Sequence, residues 1–173
     1  MARLHLILGP VGAGKSTLAR RLAAEHRALR LALDDWMARL YGGDARPTDG
    51  GERVAWYVER TERCLAVIWE VAAQGVAAGT DVVLEIGLIR RVDRARFYDR
   101  VDATGAPLAV YLVDAPREVR RARVQRRNVE QGETFAMEVP LPFFELASDL
   151  WEPPDDVERA ERRIVDVAPG TDG

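Results

Sequence analysis

The chain has 173 residues, a net charge of −3, and 47% hydrophobic against 31% charged residues. That length suits one domain with a full apolar core, and the acidic balance excludes general electrostatic capture of nucleic acid. The single cysteine, Cys64, excludes an internal disulfide framework and a multi-cysteine metal site. With no signal-peptide pattern and no apolar run of about eighteen residues, a cytoplasmic protein is expected.

In chain order, Arg3 to Leu8 predicts a first strand. It runs into Gly9-Pro10-Val11-Gly12-Ala13-Gly14-Lys15-Ser16, which fits G-x-x-x-x-G-K-[ST]. A helix is expected from Lys15 to His26, then a short strand from Leu29 to Leu33 that ends at Asp34-Asp35-Trp36. A short helix follows from Asp35 to Tyr41, and the breaker-rich segment 42–51 predicts a mobile loop. From Glu52 to Ala78 an apolar stripe (Val54, Tyr57, Val58, Thr61, Cys64, Leu65, Ile68, Ala72, Val76) predicts a long helix.

Asp81 to Ile86 is a β-branched run of the kind buried on both faces of a sheet. Arg90 to Thr104 predicts a helix closed by Gly105, and Leu108 to Val113 another buried strand. An Arg-rich helix is expected from Pro116 to about Gln131, followed by a flexible Gln131-Gly132-Glu133. Pro140 to Leu150 predicts a further helix, Arg163 to Val167 a last strand, and residues 169–173 a disordered tail.

Strands alternating with helices predict an α/β fold with a parallel sheet covered on both faces. Ligands of such sheets bind outside the carboxyl ends of the strands. That rule gathers the glycine-rich loop, Asp34-Asp35, Glu85-Ile86-Gly87 and Asp114 at one edge.

Strand, loop and helix in succession make the glycine-rich motif a P-loop. Its backbone N–H groups, from Gly9, Gly12, Ala13, Gly14, Lys15, Ser16 and Thr17, form an anion cradle at a helix N-terminus. Lys15 is placed to reach the β/γ-phosphates of ATP, and the Ser16 hydroxyl to ligate Mg²⁺. Lys15 is also the only lysine in the chain; every other basic residue is arginine.

Asp34 or Asp35 supplies a carboxylate where a hydroxyl acceptor needs a base, its neighbour serving as a helix cap. Glu85 ends a buried strand, where it suits a water of the metal or the acceptor itself. Six arginines lie between Arg117 and Arg127, with Arg120, Arg123 and Arg127 sharing one helix face. Such a segment suits closure over a triphosphate. Trp36, Tyr41, Trp56 and Tyr57 flank the 42–51 loop as a candidate acceptor wall or as core. His5 in a strand and His26 at a helix end show no partner along the sequence and read as structural.

On Gly9–Thr17, Leu33-Asp34-Asp35-Trp36, Val83-Leu84-Glu85-Ile86-Gly87 and Pro116…Arg123…Arg127-Asn128, the chain resembles the small P-loop kinases that phosphorylate hydroxyls. These are the polynucleotide 5′-kinase, chloramphenicol phosphotransferase and zeta-toxin group. The resemblance implies a three-layer P-loop NTPase fold, a five-stranded parallel sheet in the order 2-3-1-4-5, and one domain over residues 1–168 with an Arg-rich lid at about 116–140. It implies Asp34 as catalytic base, with Lys15, Arg123 and Arg127 acting on the transferring phosphoryl group and Arg123 also on the nucleotide. Many relatives have Asp where this chain has Glu85. Polynucleotide kinases carry an Arg where it has Met37, which directs the expectation to a small hydroxylated acceptor. The expected activity is therefore ATP- and Mg²⁺-dependent phosphorylation of a small molecule. The rivals are an RNA or polynucleotide 5′-kinase, an ATP-driven switch without acceptor, and a nucleoside monophosphate kinase using Arg39, Arg46, Arg53 or Arg60.

Overall fold

The structure, a computed structural model, describes residues 1–132 and 135–168. Glu133 and the tail expected at 169–173 lie outside the described residues. Five parallel strands form the sheet: β1 (Leu4–Leu8), β2 (Leu29–Ala32), β3 (Val82–Glu85), β4 (Leu108–Val113) and β5 (Val165–Val167). Their order is β2-β3-β1-β4-β5, which is the P-loop NTPase kinase fold.

The sheet separates two apolar layers because side chains alternate along each strand. Ile7, Val83 and Val113 point to one face, where Leu18, Ala19 and Leu22 of α1 (Lys15–His26) cover them. Leu4, Leu6, Leu8, Val82, Leu84, Val110 and Leu112 point to the other. There they meet Met37 of α2 (Leu33–Tyr41), Cys64, Ile68 and Ala72 of α3 (Gly50–Ala77), and Phe97, Tyr98 and Val101 of α4 (Arg91–Thr104). Burying each large aliphatic side chain contributes ~1.5–3 kcal/mol, so these layers hold the strand ends rigidly at one edge.

The element boundaries depart from expectation where local capping wins. β2 stops at Ala32, and α2 starts at Leu33 with Ala32 as its N-cap. Asp34 and Asp35 therefore occupy the first turn of a helix, not a strand end. α3 begins at Gly50, two residues before the expected start at Glu52, because the Asp49 carboxylate accepts from the N–H groups of Gly51 and Glu52. The amino-terminal part of that stripe is covered only at Tyr57, which packs against the core; Val54 and Val58 are exposed, and the fully buried members are Cys64, Ile68 and Ala72.

Beyond the sheet, α5 (Arg117–Glu130) packs on α6 (Leu141–Asp149) through Val124, Val139 and Phe144. A further helix, α7 (Asp156–Arg162), occupies a stretch for which the sequence predicts no element. It is too short to show an apolar stripe, and an ion pair holds it instead. The wholly buried Arg94 of α4 donates from Nε and Nη2 to Glu158 at 2.6 and 2.8 Å, and Tyr98 donates to the same carboxylate at 3.0 Å. No helix among the described residues is long and apolar enough to cross a membrane.

Candidate active site

The glycine-rich loop leaves the buried carboxyl end of β1 and turns directly into α1. Gly9 and Gly12 hold φ of +149° and +79°, a region that side chains disfavour. A Cβ on Gly9 would collide with the Val113 carbonyl oxygen, and one on Gly12 would stand 2.7 Å from that of Arg120. The loop is thus closely packed between β4 and α5, so its N–H groups stay fixed in direction. Lys15 arches over it and donates to the Pro10 carbonyl at 2.8 Å. Burial is the main influence on the Lys15 ammonium and lowers its pKa, while Glu85 and then Asp34 oppose that shift.

Glu85 is the hub of the polar cluster. Its Oε1 accepts from the Ser16 hydroxyl at 2.5 Å and its Oε2 from Arg30 Nη2 at 3.0 Å. Arg30 Nη1 also donates to Asp35 Oδ2 at 2.7 Å. Asp35 is therefore a partner of Arg30, not the helix cap it was expected to be; α2 has no side-chain cap.

Asp34 shares one small cleft with Ser16, Arg30, Asp35, Glu85 and Arg127. Crowding by protein, then Glu85, pushes the Asp34 carboxyl above the usual carboxylate range, against the pull of Lys15 and Arg127. Its side chain nevertheless keeps a solvent-exposed face, so water limits the size of that shift while its direction stands.

The arginines of α5 divide in role. Arg120 is buried and braces the loop: it donates to the carbonyls of Ala115 and Val11 and to the Ser148 hydroxyl, each at 3.0–3.1 Å. Arg127 lines the cleft, and among the described residues its buried Nε has no hydrogen-bond partner. Arg123 lies one turn earlier, half-buried, and is not among the cleft-lining residues. Asp114 turns away: it accepts from the Ala115 N–H at 2.7 Å and stands 4.0 Å from Arg120.

A second wall comes from α2 and α3. Burial, then the Asp34 charge, pushes the Tyr57 hydroxyl up to about 12. The Tyr57 ring meets Phe143 of α6 edge-on with centroids 5.9 Å apart. Further out, Arg60 stacks 4.1 Å from the Trp56 centroid and 5.3 Å from that of Tyr41, and stands 3.6 Å from Asp44. Met37 is buried and accepts from the Cys64 thiol at 3.8 Å, so it presents nothing to the cleft.

Arg30 is the residue the sequence reading does not single out. A signal exists, since a guanidinium inside the apolar strand Leu29–Ala32 needs a carboxylate partner. Which carboxylate that is depends on β2 pairing with β3, where Arg30 sits beside Val83 and Ala32 beside Glu85.

The donor set fits a nucleotide with its metal. Fixed loop amides, a lysine and an arginine with an unpaired buried N–H suit a polyphosphate. The touching hydroxyl and carboxylate of Ser16 and Glu85 are hard oxygen ligands of the kind Mg²⁺ takes, directly or through water.

Comparison with known proteins agrees with this geometry. The family model described as an AAA domain (AAA_33) matches residues 4–148. An adenylate kinase of Thermus thermophilus is 35% identical over 138 residues, spanning 75% of this chain and 71% of that protein. A provisionally assigned kinase from Chloroflexus aurantiacus superimposes with a TM-score of 0.73 at 18% identity, covering 96% of this chain and 88% of its own. A gluconokinase from Sinorhizobium meliloti superimposes at 0.56 and 19% identity, covering 99% and 84%. At such identities the two structures speak to the fold alone.

Proposed function

The chain belongs to the AAA domain family AAA_33, and from that premise we propose that it is an ATP-dependent kinase whose acceptor is a hydroxyl of a small molecule. The observation that carries this reading is the meeting of Asp34 with Ser16, Glu85 and Arg127 in one cleft beside Lys15. A nucleotide switch needs the loop, the lysine and the metal-side residues. It does not need a second carboxylate, of raised pKa, facing them across a cleft.

In this reading the P-loop amides and Lys15 hold the phosphates of ATP. Ser16, with Glu85 through water, would hold Mg²⁺, which when bound neutralises charge on the β- and γ-phosphate oxygens. Asp34 orients the acceptor hydroxyl and accepts its proton as the oxygen–phosphorus bond forms and the bond to the β-phosphate oxygen breaks, releasing ADP. Arg127, with Arg123 following from the same helix, stabilises the charge spread over the transferring phosphoryl oxygens. Arg30 donates to both Glu85 and Asp35 and holds them in place, so that Asp34 is the carboxylate available to the acceptor. The segment 116–140 serves as the lid.

The 35% identical adenylate kinase favours a second reading, with a nucleoside monophosphate as acceptor. Such a site needs arginines free to bind phosphate. Here Arg60 is taken by Trp56, Tyr41 and Asp44, and Arg53 donates to the Pro47 carbonyl at 3.1 Å. Those ties count against Arg53 and Arg60 as phosphate ligands and leave Arg39 and Arg46 to the experiment. Incubation with γ-labelled ATP and Mg²⁺ against a panel of sugars and sugar acids, aminoglycosides, nucleosides, AMP and 5′-hydroxyl oligonucleotides tests both. Label transferred to a neutral or sugar-acid hydroxyl supports the first reading; label found only as ADP made from AMP, or only on oligonucleotide ends, overturns it.

A further inference from the structure

The two histidines of the chain meet at the opposite edge of the sheet from the P-loop. His5 points from β1 toward α1, His26 is the last residue of α1, and Asp81 immediately precedes β3. His5 Nε2 stands 3.2 Å from Asp81 Oδ2, and His26 Nδ1 stands 3.9 Å from the same oxygen. The imidazole centroids are 4.5 Å apart, and one ligand atom from each of the three residues lies within 4.8 Å of the other two. Ligands on a tetrahedral zinc ion, each at ~2.0–2.1 Å from the metal, are separated by ~3.3 Å. The spacing here is met by one pair and is within a side-chain adjustment for the others.

The groups behind these ligands are arranged as a metal site arranges them. His5 Nδ1 lies 3.2 Å from the Tyr111 hydroxyl, and Asp81 Oδ1 accepts from the Arg3 N–H at 3.0 Å. Asp81 Oδ2, a carboxylate oxygen, accepts from the His5 Nε2–H; a divalent ion would replace that proton, with Nδ1 then carrying the ring proton toward the Tyr111 oxygen, the tautomer a ligating histidine takes. His5 is sealed in the core, whereas the side chains of His26 and Asp81 are 34% and 22% exposed, so the site opens to water on one side.

We propose that His5, His26 and Asp81 form a binding site for one divalent transition-metal ion of the zinc class, with its remaining coordination position open to solvent. Two imidazoles and one carboxylate select zinc, cobalt or nickel over magnesium and calcium, so this ion is not the one that serves a nucleotide. Bound there, it ties the end of α1 to the starts of β1 and β3. The twelve residues of α1 set it roughly 18 Å from Lys15, so it acts on the stability of the frame and stands apart from the chemistry at the P-loop.

The test uses the full chain, free of any affinity tag and stripped of metal by a chelator. Titration with Co²⁺ should give visible d–d absorption that saturates at one equivalent, bleaches with Zn²⁺ and persists in excess Mg²⁺. Zn²⁺ should raise the melting temperature. His26→Ala, at a partly exposed helix end, should fold with an unchanged melting temperature in chelator yet lose the absorption and the zinc-induced rise. Asp81→Asn should lose both as well, and Tyr111→Phe should weaken Co²⁺ binding by about 10-fold or more. Absence of Co²⁺ and Zn²⁺ binding at micromolar concentrations in the native chain would overturn the proposal, leaving a hydrogen-bonded His–Asp pair. Undiminished binding by His26→Ala would overturn it too.

Discussion

Asp34 is placed where a base is useful and where its ionised form is costly. Because burial, then Glu85, raises its pKa in the folded chain, it favours folding most below its unfolded pKa; that contribution is lost as pH rises through the folded value. Asp34→Asn is therefore expected to melt at pH 7 no lower than the native chain, while transfer falls by ~10²–10⁴. Thermal scans beside a labelled-phosphate assay check both halves. The same shift gives kcat/KM an acid limb whose midpoint lies above the ordinary Asp value of 3.8, read from a pH–rate profile. Lys15→Ala and Gly12→Ala act on the donor side instead. The first removes the ammonium over the loop, and the second forces a Cβ to within 2.7 Å of the Arg120 carbonyl oxygen. Each should abolish the ATP-induced rise in melting temperature.

Among the elements, α4 and α7 are joined by a buried, bidentate ion pair rather than by an apolar seam. Truncating one partner strands the other charge, so Arg94→Ala or Glu158→Ala should cost ~3–5 kcal/mol in urea unfolding. Arg162→Ala removes a pair in which Asp102 is largely exposed, and should cost ~0.2–1 kcal/mol. This contrast also explains what the sequence discloses. Strands β1, β3 and β4 and helix α1 announce themselves by continuous or periodic apolar runs that the sheet then buries, whereas the strand order is expected only through the resemblance to the small P-loop kinases. α7 has no such run, and Arg94 reads as one arginine among many. Only the tertiary contact makes it core. Likewise the sequence places Asp34, Glu85 and the loop at one edge, but not Arg30, whose partners come from strand pairing. It also groups Arg120 with Arg123 and Arg127, whereas depth in the fold makes Arg120 a brace for the Val11 carbonyl. The two histidines lack partners along the chain because Asp81 reaches both, and Tyr111 reaches His5, from other parts of the fold.

Taken whole, the molecule is a rigid five-stranded frame with polar groups collected at the carboxyl edge of its strands. β1 delivers the P-loop, β2 and α2 deliver Arg30 and Asp34, β3 delivers Glu85, and α5 brings Arg127 over them. On the proposed reading donor binding falls to the loop and acceptor activation to α2, so the two functions should separate by mutation. The most direct measurement is a single-turnover transfer assay with γ-labelled ATP, Mg²⁺ and a responsive acceptor, run on the native chain and on Asp34→Asn alongside the ATP dissociation constant of each. The account predicts that the variant binds ATP within about threefold of the native chain while its rate of transfer falls at least ~100-fold. Equal transfer by the two proteins, or a fall in rate matched by an equal loss of ATP affinity, would contradict it.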